Sequence, residues 1–294
     1  MRLNRRSVLI ATGLGGAGVV GTAAGVYEGL LPGRPYLQER LGLNGVDGQI
    51  PRDVRPGRVD EGSFRSTHRL GEDTRWWVAR PPGRPRRLPV LIALHWFGTT
   101  AGGLRQDLGI DRFLARAVQQ GTPPFAVAAV DGGTTYWHRQ ATGEDAGAMV
   151  TEEFVPLLDR AGYDTTRIGL IGWSMGGYGA LRLAGLLGAG RVATVVAVSP
   201  ALWLDPADAS PHGFDSAADY QRATVFGRQD DLAGIAVRVD CGTGDPFYRA
   251  TEEYLACFDP APTSTFAPGG HDSGYWRRVL PAELRFAGAA LGRA

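Results

Sequence analysis

The stretch GLIGWSMGGYGALRLAG, from Gly169 to Gly185, places Ser174 in a G-x-S-x-G frame. A short apolar run precedes this serine, and a run of helix-forming residues follows it. A nucleophile elbow has this order of strand, serine and helix, with glycines that let the strand and the helix approach closely. The frame alone is weak, because a chain with 43 glycines produces such frames by chance. Ser174 is therefore a candidate nucleophile, and the alternative is an incidental serine in a glycine-rich turn.

Short apolar runs and helical segments alternate around this stretch. The runs, each too short for a buried helix, are LPVLIAL (88–94), FAVAAV (125–130), RIGLIG (167–172), VATVVAVS (192–199), IAVRVDC (235–241) and TSTFAP (263–268). The helical segments are Ile110–Gln120, Asp145–Ala161, Met175–Leu187, Asp245–Phe258 and Tyr275–Leu291. This alternation predicts an α/β fold, with a mostly parallel sheet covered by helices on both faces. Ligands bind beyond the carboxyl ends of the strands in such sheets, so we expect the chemistry there.

Two further segments precede this pattern. SFRSTHRL and TRWWVAR, separated by residues 71–73, predict a hairpin at the edge of the sheet. Residues 27–61 are rich in Gly, Pro and Arg, and we interpret them as a linker or N-terminal wrap. A chain of 294 residues can hold one large domain, and we place this catalytic domain at 62–294.

Two residues after later strands complete a candidate catalytic group. A serine hydroxyl is a weak nucleophile until a histidine removes its proton, and a carboxylate must orient that histidine. In a sheet of this kind the acid and then the histidine should follow the serine, each after a later strand. Asp245 follows IAVRVDC, and His271 follows TSTFAP. We therefore predict that Ser174, Asp245 and His271 form a catalytic triad.

The other acidic and histidine residues are interpreted as structural. Asp240 still lies inside its strand, and Asp272 is predicted to cap the helix that begins near Ser273. The remaining histidines are His68, His95, His138 and His212, which we expect to be structural or exposed. No pair has metal-ligand spacing such as H-x-x-x-H or H-E-x-x-H, so a metal site is not expected.

An oxyanion hole needs two backbone N–H donors that point at the developing negative charge. We expect one donor to be the Met175 N–H, at the start of the helix after the serine. The second should come from the loop after LPVLIAL, which reads His95-Trp96-Phe97-Gly98. Trp96 N–H is the preferred candidate and Phe97 N–H the alternative.

The motifs GWSMGGYGAL, CGTGDPFY and GGHDSGYW resemble those of the esterase D type of α/β-hydrolase. That group includes S-formylglutathione hydrolases, feruloyl esterases and the secreted mycolyltransferases of actinobacteria. The resemblance spans residues 63–291, and DGGTTYWHRQATGEDAGAMV is similar to a segment of exported actinobacterial members. It implies an α/β-hydrolase fold, with Ser174 as nucleophile, Asp245 as acid, His271 as base and Met175 N–H as an oxyanion donor. The chain departs from many relatives in having Trp96 and Phe97 where they carry glycines.

Aromatic residues near the strand ends predict a pocket for an acyl chain or an aromatic acid. The candidate substrate-binding residues are Phe97, Trp137, Trp173 and Trp203, together with Trp96. The alternative is that several of these rings pack beneath their loops. Glu144 and Asp145 could contact a polar substrate, or cap the helix that begins near Ala146.

The first residues differ from the rest of the chain. Arg5 and Arg6 precede a weakly apolar run that extends to Val26, which is typical of an export signal of the twin-arginine kind. We therefore interpret residues 1–26 as an export signal or, alternatively, an N-terminal membrane anchor, and expect a secreted or surface-attached protein. Its net charge of +1 gives no reason to expect a nucleic-acid partner, and we expect membrane contact only through this segment.

Cys241 and Cys257 are the only cysteines. Cys241 should end a strand and Cys257 should end the helix that follows, which places the two sulfurs at opposite ends of the sheet. We expect two free, buried thiols.

These features together predict a serine carboxylic-ester hydrolase that acts through an acyl-enzyme without a cofactor, on a small-molecule or cell-envelope ester. One alternative is an acyltransferase of the mycolyl type, which would use the same residues and transfer the acyl group to a sugar alcohol. Another is a non-catalytic cell-wall binding protein on the same fold, although such a protein has no need of the ordered serine, aspartate and histidine.

Overall fold

The computed structural model of the chain describes residues 33–83 and 87–293. The predicted export signal or anchor at residues 1–26 lies outside these ranges, and so do residues 27–32 of the predicted wrap. Within the described ranges, no helix has the length and apolar character needed to cross a membrane.

The strands and helices alternate over most of the described chain. The strands are β1 (Val59–Ser66), β2 (Glu72–Ala79), β3 (Pro89–Leu94), β4 (Ala126–Val130), β5 (Asp164–Trp173), β6 (Val192–Val198), β7 (Ala236–Gly242) and β8 (Thr263–Ala267). The α-helices are α1 (Arg34–Arg40), α2 (Ala101–Gln106), α3 (Ile110–Gln119), α4 (Ala146–Ala148), α5 (Val155–Arg160), α6 (Met175–Leu187), α7 (Ala217–Ala223), α8 (Tyr248–Leu255) and α9 (Ser273–Leu291). A π-helical segment, Met149–Phe154, joins α4 to α5, and 3₁₀ turns occur at Pro206–Asp208 and Gln229–Leu232.

The strands form one eight-stranded sheet in the order β1-β2-β4-β3-β5-β6-β7-β8. The hairpin of β1 and β2 pairs antiparallel with its neighbours at one edge, and the pairs from β4 to β8 are parallel. The predicted α/β fold with a mostly parallel sheet is therefore confirmed. Because β3, β5, β6 and β7 end at the same edge of the sheet, the loops that follow them can meet there.

Both faces of the sheet are buried, which explains the continuous apolar runs. In β3, Val90, Ile92 and Leu94 belong to one core cluster, whereas Leu91 and Ala93 belong to the other. Helices α4 to α8 contribute to the first cluster, and α2, α3 and α9 contribute to the second. Alternate side chains of a strand point to opposite faces, so a central strand needs apolar residues at every position.

Three local expectations differ from the structure. Strand β1 begins at Val59, inside the segment interpreted as a wrap. The predicted helix Asp245–Phe258 is shorter, Tyr248–Leu255, because the Asp245 carboxylate accepts a hydrogen bond from the Phe247 N–H in a turn before the helix. Both thiols are free, but Cys257 is exposed and not buried, since α8 ends two residues before it.

Candidate active site

Ser174 lies in a sharp turn between β5 and α6. Its backbone has φ 54° and ψ −116°, a conformation that L-residues rarely adopt. Close packing on both sides holds this turn: a Cβ on Gly172 would lie 2.0 Å from the Gly176 carbonyl oxygen. A Cβ on Gly176 would likewise lie 2.0 Å from the Leu94 carbonyl oxygen. The G-x-S-x-G glycines are therefore required by the contact between helix and sheet.

Backbone hydrogen bonds fix the serine in this turn. Its N–H donates to the Val198 carbonyl at 3.0 Å, and its own carbonyl accepts from Tyr178 and Ala201, each at 3.0 Å. These bonds connect Ser174 to the end of β6 and to the loop that follows it. The strained serine is therefore held from several sides, which is the condition under which such strain persists.

The structure brings the three predicted triad side chains into one hydrogen-bonded line. The distance between His271 Nε2 and Ser174 Oγ is 2.9 Å. The distance between His271 Nδ1 and Asp245 Oδ2 is 2.8 Å. Both lie in the range of direct hydrogen bonds, and the histidine stands between the hydroxyl and the carboxylate. This arrangement can pass the serine proton to the imidazole while the carboxylate fixes the ring.

The environment of the histidine and the aspartate restricts their movement. Asp245 is buried, and its second oxygen, Oδ1, accepts the Phe247 N–H at 2.8 Å. The His271 ring lies between Phe247 and Trp276, with ring centroids 5.2 Å and 5.3 Å away in edge-on geometry. Trp276 is itself anchored, because its Nε1–H donates to Ser199 Oγ at 3.1 Å. The imidazole therefore has a defined position with one edge open to the cleft.

His95 is a structural residue of the loop that follows β3. Its Nε2 accepts a hydrogen bond from the Gly132 N–H at 2.9 Å, so the ring proton resides on Nδ1, which donates to the Trp96 carbonyl at 2.9 Å. Burial lowers the pKa of this histidine and keeps the ring neutral, in agreement with both hydrogen bonds. The ring therefore fixes the peptide group between Trp96 and Phe97.

The candidate oxyanion donors lie beside the serine. Met175 is the first residue of α6, and the first N–H groups of a helix have no acceptor within the helix. The contact of Gly176 with the Leu94 carbonyl places the end of β3 directly against the start of this helix. Trp96 and Phe97, which follow β3, line the cleft that contains Ser174.

The cleft over the serine is open and has a volume of about 390 Å³. Its lining residues are Trp96, Phe97, Asp107, Ser174, His271, Asp272, Ser273 and Trp276. Phe97 is among the few large apolar side chains of the described chain that are exposed. A small ester can therefore reach the hydroxyl from solvent.

Aromatic rings in contact with one another extend from both sides of the histidine. On one side, Phe247 packs against Trp203 at 5.4 Å between centroids, and Trp203 against Tyr136 at 5.6 Å. Tyr136 in turn lies 6.1 Å from Phe97. On the other side, Trp276 packs against Trp96 at 5.1 Å. We call this group of aromatic side chains the aromatic collar; its members are Trp96, Phe97, Tyr136, Trp203, Phe247 and Trp276.

Two of the predicted substrate-binding residues do not reach the cleft. Trp137 is fully buried, with its ring against Gly132 and Gly179 and edge-on to His95. Trp173 is also fully buried, because strand alternation turns it into the core cluster on the face of α9. Both belong to the core beneath the loops, whereas Phe97 and Trp203 belong to the collar.

The other acidic residues have structural partners. Asp272 caps α9 by accepting the Tyr275 N–H at 3.0 Å, and Asp145 caps α4 by accepting the Ala148 N–H at 2.9 Å, both as predicted alternatives. Glu144 pairs with Arg69 at 3.1 Å. Asp240 pairs with Arg238 at 2.8 Å, away from the cleft. In the described part of the chain, no three His, Cys, Asp or Glu side chains are grouped to hold a metal ion.

The sequence analysis missed two residues that contact the histidine. Phe247 lies two residues after the predicted acid, and Trp276 lies five residues after the predicted base. Their closeness in sequence to Asp245 and His271 is a signal that could have identified them. Their contact with His271 depends on how the loops after β7 and β8 face each other, which cannot be inferred from the sequence.

The fold agrees with that of known proteins that the chain resembles. Residues 67–287, more than half of the chain, match the family model Esterase, described as "Putative esterase". No curated protein sequence matches the chain. A ferulic acid esterase structure is similar at a TM-score of 0.67 and 20% identity, covering 80% of this chain and 100% of that chain.

Two further solved structures share the fold. An S-formylglutathione hydrolase from Agrobacterium tumefaciens has a TM-score of 0.67 and 19% identity, covering 84% of this chain and 99% of its own. The fluorophosphonate-binding serine hydrolase F of Staphylococcus aureus has a TM-score of 0.65 and 16% identity, covering 80% of this chain and 99% of its own. These structures share the α/β-hydrolase fold, and the family match covers the segment that contains Ser174, Asp245 and His271. The chain therefore belongs to the Esterase family, and the protein is an esterase on an α/β-hydrolase fold.

Proposed function

We propose that the protein is a serine carboxylic-ester hydrolase that acts through an acyl-enzyme, with Ser174 as nucleophile, His271 as base and Asp245 as orienting acid. The observation that carries this proposal is the continuous line of hydrogen bonds, 2.9 Å from Ser174 Oγ to His271 Nε2 and 2.8 Å from His271 Nδ1 to Asp245 Oδ2. The strained elbow supports it, since it presents the hydroxyl at the open end of the sheet.

In the first half-reaction, Ser174 Oγ attacks the ester carbonyl while His271 Nε2 takes its proton. The carbonyl oxygen becomes an oxyanion in the tetrahedral intermediate. The Met175 N–H and an N–H from Trp96 or Phe97 stabilise this charge, and a single such donor contributes about 3 kcal/mol in other enzymes. His271 then donates its proton to the leaving alcohol as the ester bond breaks, which leaves the acyl group on Ser174.

In the second half-reaction, water takes the place of the alcohol. His271 accepts a proton from that water, whose oxygen attacks the acyl carbon, and then returns the proton to Ser174 Oγ as the acid leaves. The Asp245 carboxylate stabilises the imidazolium. The edge-on packing of His271 between Phe247 and Trp276 supports this double role, because the ring keeps one position in both halves.

The aromatic collar favours a flat or slender acyl group. Phe97 and Trp96 line the cleft directly, and Trp203 and Tyr136 stand behind Phe97. Such rings offer flat apolar surface on which an acyl group of this shape can pack. Ferulic acid esterases are among the similar solved structures, and their named substrate acid is aromatic. We propose a small-molecule or cell-envelope ester with an acyl part of this shape.

We also propose that the protein is exported, secreted or attached to the cell surface, through the segment at residues 1–26. The pair Arg5–Arg6 before an apolar run supports this proposal. Fractionation of cells that express the full chain tests it, with Arg5→Lys/Arg6→Lys as the variant. Activity that stays in the cytoplasm for both chains would contradict it.

The proposed chemistry is tested by intact mass after exposure to a fluorophosphonate. We expect one adduct on the wild type and none on Ser174→Ala. The matched control is Ser210→Ala, in the loop before α7, which should label like the wild type. A folded wild type that forms no adduct, or a Ser174→Ala chain that still hydrolyses p-nitrophenyl acetate at the wild-type rate, would contradict the proposal. Product analysis with added glycerol then separates hydrolysis from acyl transfer.

A further inference from the structure

Residues 33–50, which we call the N-terminal strap, run across the loops that carry the acid and the base. The strap comprises α1 and an extended segment, and it precedes the part of the chain that matches the family model. The Gly48 N–H donates to the Gly274 carbonyl at 2.8 Å, at the start of α9. The Arg278 guanidinium donates to the carbonyls of Asn44, at 3.3 Å, and of Val46, at 2.8 Å. These bonds attach the strap to the helix that follows His271.

The same arginine also reaches the loop of the base. Its guanidinium donates to the Pro268 carbonyl, three residues before His271. Arg278 therefore connects the strap, the base loop and α9 through one side chain. The strap is thus held at the place where the base loop leaves β8.

Two amide side chains of the strap cover the residue that precedes the acid. Gln38 is buried, and its Oε1 accepts from Thr243 Oγ1 at 3.5 Å. A Cβ on Gly244 would lie 2.5 Å from Gln38 Oε1 and 2.5 Å from Asn44 Oδ1. The backbone immediately before Asp245 therefore packs directly under both amides.

Asn44 also contacts the residue that precedes the base. A Cβ on Gly270 would lie 3.2 Å from Asn44 Nδ2. Gly244 and Gly270 belong to loops after different strands, and the Gly244 N–H donates to the Gly269 carbonyl at 2.8 Å. One side chain thus touches both glycines that stand directly before Asp245 and His271. Its Oδ1 is buried and has no hydrogen-bond donor, so packing rather than a hydrogen bond holds it there.

We propose that Asn44, supported by Gln38, is a positioning residue that sets the Asp245 loop against the His271 loop. This inference rests on the proposed triad. The hydrogen bond between Asp245 and His271 joins two loops that α8 and β8 separate along the chain. Its geometry therefore depends on what packs across both loops. Displacing a catalytic group by about 1 Å can cost a hundredfold in rate. The strap is therefore part of the active-site framework.

The test compares Asn44→Ala with Val46→Ala in the full chain. Val46 lies on the same strap, and its side chain is 82% exposed, so its replacement leaves both loops untouched. We expect Asn44→Ala to lower kcat by about tenfold or more with KM changed less than twofold, since the loop shift acts on proton transfer by His271 and leaves the Trp96 and Phe97 side of the cleft in place. Active-site titration with fluorophosphonate should show the same number of reactive sites, labelled more slowly. Val46→Ala should match the wild type.

The pH profile separates positioning from general stability. Weakening the bond from Asp245 to His271 removes a stabiliser of the imidazolium, so the lower pKa of kcat/KM should fall in Asn44→Ala. Asn44→Asp keeps the shape of the side chain and adds a negative charge beside both loops, so that pKa should rise relative to Asn44→Ala. A loss of folded protein alone would lower the number of reactive sites and leave the profile unchanged.

The outcomes are distinguishable from failure of the proposed function. If Ser174→Ala abolishes hydrolysis but Asn44→Ala keeps the wild-type kcat and pH profile, the positioning inference is overturned and the triad stands. If Asn44→Ala does not fold, Gln38→Ala takes its place, with an expected loss of about threefold in kcat and the same direction of the pKa change. Wild-type kinetics in a folded Gln38→Ala would then overturn the inference.

Discussion

Gly176 lies so close to the Leu94 carbonyl that a Cβ on this glycine would stand 2.0 Å from that oxygen. The contact joins the start of α6 to the end of β3, and it therefore brings the Met175 N–H and the Trp96–Phe97 loop to the same side of Ser174. The position of the proposed oxyanion donors relative to the serine therefore depends on this contact between two backbones.

Replacing Gly176 by alanine should therefore disrupt the site and not only the fold. The added methyl must push α6 away from β3, and we expect kcat/KM for p-nitrophenyl acetate to fall about a hundredfold or more. Gly190→Ala is the matched control, because nothing lies within 4 Å of a Cβ at that position. A folded Gly176→Ala with wild-type kcat/KM would show that the contact does not set the geometry.

His95 should affect catalysis through the loop that it holds. His95→Phe keeps a ring beside Trp137 but leaves the Gly132 N–H and the Trp96 carbonyl without their partner. We expect kcat to fall about tenfold with little change in KM, and the free energy of unfolding to fall by about 1–3 kcal/mol. The control is His68→Phe, in the hairpin turn, which should change kcat and the free energy of unfolding much less. Steady-state kinetics and urea unfolding of both variants provide the comparison.

Acid should destabilise the fold through two buried histidines. Burial lowers the pKa of His95 and of His138 below the ordinary value of 6.5. Below about pH 6.5 the unfolded chain binds protons that these folded histidines do not, so the unfolding free energy falls as pH decreases. The slope approaches about 1.4 kcal/mol per pH unit for each histidine. Urea unfolding between pH 7.5 and 5.5 measures it, and His138→Gln should reduce the slope.

Glu283 should destabilise the fold as pH rises, in contrast to the two histidines. It is fully buried on α9 beside Asp240, and desolvation raises its pKa well above 4.5, with the Asp240 charge acting in the same direction. The folded state therefore keeps a proton that the unfolded state loses above about pH 4.5, so stability falls as pH rises through this window. Glu283→Gln should remove this dependence and raise the melting temperature at pH 8 by several degrees. The control is exposed Glu72→Gln; an unchanged or lower melting temperature in Glu283→Gln would contradict the prediction.

Trp203 should limit the size of the acyl group. It packs between Phe247 and Tyr136 in the aromatic collar, so Trp203→Ala opens space behind Phe97. We expect the ratio of kcat/KM for a hexanoate over an acetate p-nitrophenyl ester to rise about tenfold or more, since accommodating even one additional methylene in an apolar pocket contributes about 1–3 kcal/mol. Leu204→Ala, next to it and exposed, should leave the ratio unchanged. If Trp203→Ala and Leu204→Ala gave the same ratio, the aromatic collar would not determine which acyl groups the enzyme accepts.

The sequence by itself determined the sheet and the candidate triad. Apolar runs of strand length and the glycines around Ser174 are local signals, because strand alternation and close backbone contact depend on residues near in the chain. Asp245 and His271 could be chosen because each stands directly after a strand, and parallel strands end at one edge of the sheet. The family resemblance drew on the same local motifs.

Only the tertiary structure decided which aromatic side chains face the cleft and what braces the two loops. The sequence predicts Trp137 and Trp173 as pocket residues, but both lie in the core. Phe247 and Trp276, which the sequence analysis did not select, contact His271. The sequence predicts a linker or an N-terminal wrap at residues 27–61, and only the structure shows that Asn44 of the strap touches Gly244 and Gly270. Such contacts join residues far apart in the chain, and their geometry follows from how the whole sheet and its loops pack, which no local pattern of residues specifies.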